Sequence, residues 1–136
     1  MRSEPTIHRI DVQVTTPVNP TEVRDRVESA ITNLFPAAEV EERHGDLLAR
    51  AHSVERFAER LREQNIVDAA REVFLQGVEG EAFTFDLKKQ AAFEGVVNFS
   101  VGPPDELGDL HVRVRVEEPD VEAFIDYLAP RTESKG

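Results

Sequence analysis

Leu110-His111-Val112-Arg113-Val114-Arg115-Val116-Glu117 decides the fold. Apolar and polar residues alternate strictly, which is the period of a strand buried on one face and open on the other. Immediately afterwards Asp120 caps a helix that carries Val121, Phe124, Ile125 and Leu128 and stops at Pro130. A strand with one dry face, followed by a helix with one dry stripe, sets up a helix-on-sheet layer.

The same alphabet repeats outward from that stretch. Phe83, Phe85 and Leu87 alternate as one strand, and Phe93, Gly95, Val97, Phe99 and Val101 as the next, before Gly102-Pro103-Pro104-Asp105 breaks the chain. These phenylalanines keep register with branched aliphatics, so they are expected in the core. Near the start, Ile10, Val12 and Val14 alternate with Arg9, Asp11, Gln13 and Thr15. A helix start then follows, with Asn19 as N-cap, Pro20 at the first helical position and Glu22 three residues after the cap. Val23, Val27, Ile31 and Leu34 mark its inner face, and Phe35-Pro36 ends it. Val40 to Ala51 reads as a hairpin turning at His44-Gly45-Asp46, and Ser53 caps a helical stretch with Val54, Phe57, Ala58 and Leu61 inward. Asn65 interrupts that stretch before Ile66, Ala70, Val73 and Phe74 continue it to Gly77, so residues 54–76 read as one kinked helix or as two. The expected class is α+β, two-layer, with a mostly antiparallel sheet and helices packed on one face.

A chain of 136 residues fits a single domain, 1–136, with an ordered core over about residues 7–130 and polar, frayed ends. Without cysteine it has no disulfide, thiolate metal site or thiol nucleophile. Met1-Arg2-Ser3-Glu4-Pro5 lacks the apolar core of a signal peptide, and no apolar run approaches the roughly 20 residues that cross a bilayer. The expectation is a soluble, cytoplasmic protein with no membrane partner. Acidic residues number 27 against 16 basic ones, and 13 of those 16 are arginine. Concentrated salt screens the self-repulsion of such a surface. Carboxylates stay hydrated there, whereas lysine stems add apolar surface. The composition therefore reads as adaptation to high salt; the plainer reading is an acidic protein that happens to use arginine. A net charge of −11 argues against nucleic acid in an ordinary protein. In a salt-adapted one, only local clustering of the basic residues informs.

Catalytic motifs are missing. His8, His44, His52 and His111 show no ligand-pair spacing, so no metal site is expected. No nucleophile elbow is present, and Gly77-Val78-Glu79-Gly80 lacks the lysine and hydroxyl residue of a phosphate-binding loop. Neither an enzyme nor a cofactor is expected.

Two basic groupings remain. Lys88-Lys89-Gln90 stands between two apolar strands and holds two of the chain's three lysines. Such a turn can donate to phosphate oxygens and a base or sugar edge, or it can simply keep a hairpin solvated. The second grouping is a strand face: with Val112, Val114 and Val116 inward, His111, Arg113 and Arg115 point the other way, and Arg9, Gln13, Asn98 and Ser100 are candidates for the same surface. Guanidinium planes stack on bases and fork onto phosphates. The competing reading pairs these arginines with neighbouring acids.

The stretch Phe85-Asp86-Leu87-Lys88-Lys89-Gln90-Ala91-Ala92-Phe93-Glu94-Gly95-Val96-Val97-Asn98-Phe99 resembles the signature of an archaeal family of uncharacterised proteins. Its members are variously described as RNA-binding, as predicted exosome subunits or as dephospho-CoA kinase operon proteins. Leu87, Lys89, Gln90, Ala91, Ala92, Phe93, Gly95, Asn98 and Phe99 match the pattern; Lys88, at an asparagine-like position, departs from it. The resemblance extends through Asn19-Pro20-Thr21-Glu22 and Leu107-Gly108, and spans about Ile7 to Pro130. It implies a fold like that of the large-subunit ribosomal protein that contacts 5S RNA, and an archaeal source, in keeping with a haloarchaeal composition. It also points to an RNA partner; on that hypothesis the two basic groupings supply the contacts, Lys88, Lys89 and Gln90 as one and Arg113, Arg115 and Arg9 as the other. The alternative is an interaction or assembly domain whose partner is a protein of the RNA-processing machinery or a second copy of the chain.

Overall fold

A computed structural model describes residues 8–102 and 108–131. The expected break at 103–105, Leu107 and most of the two polar ends lie outside the described residues.

Six strands form one antiparallel sheet. They are β1 (Arg9–Pro17), β2 (Glu39–Arg43), β3 (Asp46–Ala51), β4 (Val78–Glu79), β5 (Ala82–Lys88) and β6 (Asp109–Glu118), in the order β2-β3-β1-β6-β5-β4. The helices are α1 (Arg24–Leu34), α2 (Glu55–Glu63), α3 (Val67–Gln76), a single turn α4 (Lys89–Ala92) and α5 (Val121–Leu128). The alternating residues of β6 behave as their period demands: Leu110, Val112, Val114 and Val116 are buried, while His111, Arg113, Arg115 and Glu117 are not. Ile10, Val12 and Val14 of β1 lie beside them, with Val12 opposite Val114 and Val14 opposite Val112. The inner residues of β3 and β5 join the same face. Against it pack Val27, Ile31 and Leu34 of α1, Phe57 and Leu61 of α2, Phe74 of α3, and Phe124 and Leu128 of α5, all in one cluster. Rings carry much of the contact: Phe57 stacks on Phe35 at 5.3 Å and on Phe85 at 5.5 Å, and Phe74 meets Phe83 at 5.1 Å. Phe93 and Phe99 are half-buried against this cluster. The α+β two-layer arrangement with an antiparallel sheet is therefore the observed one.

Several local expectations hold for identifiable reasons. The β2–β3 hairpin turns through His44 and Gly45, both at positive φ, so two residues suffice to join Arg43 to Asp46. Asn65, at φ 59°, separates α2 from α3, which settles residues 54–76 as two helices. Asp120 Oδ1 accepts from the Ala123 N–H at 2.8 Å and caps α5.

Two expectations are corrected. The first helix begins at Arg24, not at Pro20. Asn19 to Glu22 instead close a turn, with the Glu22 N–H donating to the Asn19 carbonyl at 2.9 Å. The Glu22 carboxylate accepts from both the Asn19 backbone and side-chain amides at 3.0 Å, so the sequence pattern of a capping box is spent one turn early. Residues 93–101 are not a strand. Lys89 to Ala92 wind into a helical turn, the chain then reverses through Gly95, whose φ of 72° admits it, and only Phe99 forms a strand bridge, to Leu87. At that bridge the Lys88 N–H donates to the Asn98 carbonyl and the Ser100 N–H to the Asp86 carbonyl, each at 2.8 Å. The rest of the segment is held by Gln64, which donates to the Val97 carbonyl at 2.9 Å and accepts from its N–H at 2.8 Å. Gly77-Val78-Glu79-Gly80 forms β4 and its turn into β5. Gly77 is pressed so close to the Thr84 carbonyl that an added Cβ would sit 2.1 Å from its oxygen.

Candidate functional site

The helices cover one face of the sheet, and the polar positions of the strands make up the other. Antiparallel register places directly opposite residues on the same face. Gln13 of β1 thus lies between Arg50 of β3 and Arg113 of β6, and Thr84 of β5 continues that row. One step along, Asp11 faces Arg115, and one step the other way Thr15 faces His111, which faces Asp86. Lys88 stands opposite Asp109 on the same face. A groove of about 340 Å³ runs over the centre, its lining including Asp11, Gln13, Arg50, His52, Arg113 and Arg115.

Charge is divided unevenly over this face. Arg115 meets Glu117 at 3.3 Å and Glu81 at 3.9 Å, so part of its charge is answered. His52 sits 3.1 Å from Asp11, and His111 sits 2.7 Å from Asp86. Arg50 and Arg113 make no ion pair with any described residue, in a chain where carboxylates outnumber basic groups by 27 to 16. Beyond His111 the face turns acidic, around a second hollow whose lining includes Asp46, Asp86 and Asp109. Among the described residues no group of three metal-ligating side chains is drawn together.

The six residues singled out in the sequence separate. Arg113 and Arg115 share the open face with Lys88, which the strand period of β5 places there. Arg9 lies at the far end of β1, opposite Glu118 and past a bulge, exposed but outside the groove. Gln90 is exposed on α4, which packs on α1 through the Asn33 amide donating to the Ala92 carbonyl at 3.0 Å. Of the other candidates for this face, Ser100 is engaged at the sheet's end, donating to Asp109 at 2.9 Å, and Asn98 belongs to the irregular segment after α4.

Lys89 requires correction as a surface donor. It is 1% exposed, and its Nζ donates to the Pro17 carbonyl at 2.7 Å and to Glu22 Oε1 at 3.0 Å. The reason is the turn of α4: the chain leaves the sheet at Lys88, and the next side chain swings inward beneath α1. Burial pushes the Glu22 carboxyl upward, but bonds from the Asn19 backbone, the Lys89 ammonium and the Asn19 side chain outweigh it and hold the group below the ordinary carboxylate value. Lys89 therefore ties the end of β1 to the start of α1.

Arg50 is the residue that sequence reading missed. The signal was there, since Leu47, Ala49 and Ala51 alternate with Leu48 and Arg50, but only strand order brings β3 beside β1.

Residues 11–117 match a protein-family model described as RNA binding. Over 136 aligned positions, covering 89% of this chain and 85% of the relative, the sequence is 46% identical to a UPF0201 protein of Methanopyrus kandleri. It is 39% identical over 127 residues to a UPF0200/UPF0201 protein of Archaeoglobus fulgidus; that match covers 90% of this chain but only 38% of the length of that longer protein. The crystal structure of a UPF0201 protein from Methanococcus jannaschii superposes with a TM-score of 0.84 at 38% identity, covering 91% of this chain and 96% of that one.

Proposed function

The chain belongs to the archaeal UPF0201 family, and on that premise we propose that it is a non-catalytic RNA-binding module whose contact surface is the open face of its sheet. The observation that carries this reading is the family-model match to RNA binding over residues 11–117. It runs from within β1 to within β6 and takes in Gln13, Arg50, Lys88, Arg113 and Arg115, with Arg9 just outside it. Arg113 and Arg115 are the principal contacts, forking onto phosphate oxygens or lying flat on bases, with Lys88 at one margin and Arg9 at the other. Gln90 stands apart on the helical layer as a secondary contact. A role in RNA processing, alone or beside a protein partner, would suit such a module.

The edges of the sheet lend the protein-docking alternative less support. Strand β2 carries Glu39, Glu41 and Glu42 along its free edge, and β4 is two residues long. Charged or very short edges resist pairing with another strand.

The test is retention of cellular RNA on filters by the purified protein and by an Arg113→Glu, Arg115→Glu variant, at matched salt. Saturable retention by the parent, reduced at least tenfold in the variant, supports the reading. Equal retention by both moves the contact off this face, and no retention by either removes RNA as the ligand.

A further inference from the structure

We infer that the Arg50–Gln13–Arg113 row is a seat for the sugar-phosphate backbone of base-paired RNA, not for unpaired bases. The inference rests on the RNA-binding reading above and adds to it the form of the RNA and one residue, Arg50.

Three observations converge. First, register sets Arg50 and Arg113 on either side of Gln13, two strand spacings apart, which is about 10 Å between their backbones. Neither guanidinium is answered by a carboxylate among the described residues, and the Gln13 amide makes no side-chain hydrogen bond there either. In so acidic a chain, two unanswered guanidiniums flanking a free amide leave a local excess of donors. A phosphate diester offers each guanidinium two acceptor oxygens, and Gln13 can both donate to and accept from a ribose 2′-hydroxyl.

Second, among the described residues the face has no stacking platform. Phe83 and Phe85 point into the helical layer, Phe93 and Phe99 pack against the core, and Tyr127 belongs to α5, where its ring lies 4.3 Å from that of His8. The two rings that do reach the face, His52 and His111, are each held by a carboxylate at its margins. Readers of unpaired RNA depend on exposed rings for stacking.

Third, the seat is built on strands: the row runs across β3, β1 and β6. An open strand face suits the wide, shallow minor groove of an A-form helix, where 2′-hydroxyls and flanking phosphates are displayed, and these strand residues have nothing to insert into the deep major groove. The acidic hollow around Asp86 and Asp109 bounds the Arg50–Gln13–Arg113 row on one side, and on the other Asp11 separates it from Arg115, so the row by itself meets about two phosphates and Arg115 adds a contact beyond it.

The probes are a fluorescently labelled 20-base-pair RNA duplex and an unstructured single strand of equal length, followed by fluorescence anisotropy across a salt series. The parent binds the duplex at least tenfold more tightly than the single strand, with affinity falling by about the second power of salt concentration or more steeply, two counterions being displaced by Arg50 and Arg113 and further ones by Arg115 and the marginal contacts. Arg50→Gln weakens duplex binding about tenfold and lowers that exponent by about one, with Arg113→Gln behaving alike. Both side chains are exposed, and unchanged thermal midpoints confirm that the variants fold. Single-strand binding equal to or tighter than duplex binding overturns the inference while leaving the RNA-binding reading standing. An Arg50→Gln variant that binds duplex like the parent also overturns it. Failure of both probes, with cellular RNA also unretained, removes the underlying reading itself.

Discussion

Replacing Lys89 by methionine should destabilise the protein severely and leave its RNA affinity alone. The Lys89 side chain is 1% exposed and its Glu22 partner 7%, with the two charges 3.0 Å apart. Methionine matches the apolar stem of lysine but lacks the ammonium, stranding a buried carboxylate and the Pro17 carbonyl together. Removing one member of a buried pair costs about 3–5 kcal/mol. The two Asn19 amides still hold Glu22, which places the loss toward the lower end, about 3 kcal/mol. For a chain of this size each kcal/mol lowers the thermal midpoint by roughly 3–4 °C, so a fall of about 10 °C is expected. Calorimetry at fixed salt reads it directly. The paired variant Glu22→Gln, Lys89→Met removes both charges and should recover most of the loss, because glutamine still accepts from Asn19. A midpoint lowered by less than about 2 °C in Lys89→Met would refute the buried-pair account. So would a loss of RNA affinity in the folded variant, which would put Lys89 back on the surface.

The same pair governs acid stability. Glu22 is held below its ordinary value of 4.5 in the folded protein, so its contribution is present above that pH and is lost as pH falls through the lower folded value. The urea midpoint of the parent should therefore drop more steeply than that of Glu22→Gln as pH falls below the ordinary glutamate value of 4.5; parallel curves would contradict this. Gly77→Ala would set a Cβ 2.1 Å from the Thr84 carbonyl oxygen, so β5 must shift. A cost of about 1–3 kcal/mol should show in chemical denaturation. Asp120→Ala removes the one side-chain cap of α5 and should cost about 1 kcal/mol, with Asp120→Asn restoring most of it in the same assay.

What the sequence made legible was whatever is encoded in a local period. The alternation in β6, β1 and β5 identified the buried face and, with it, the outward course of Arg113 and Arg115. Asn65 and Asp120 marked helix boundaries because each acts on its immediate neighbours. What escaped depends on partners distant in the chain. Glu22 is claimed by Lys89, 67 positions away, and Val97 is bonded by Gln64, 33 positions away, so neither segment follows its local pattern. For the same reason Lys88, Lys89 and Gln90 read as one exposed turn, whereas a strand end followed at once by a helical turn sends them three ways. Arg50 was invisible until β3 was known to lie beside β1.

The most direct measurement of the central claim is to map ultraviolet crosslinks between the protein and bound RNA to individual peptides by mass spectrometry. If the open sheet face is the RNA surface, adducts will concentrate on peptides containing Gln13, Arg50, Arg113 and Arg115. Adducts confined to the helical layer, on α1, α2, α3 or α5, would contradict the account, because that layer covers the opposite face of the sheet.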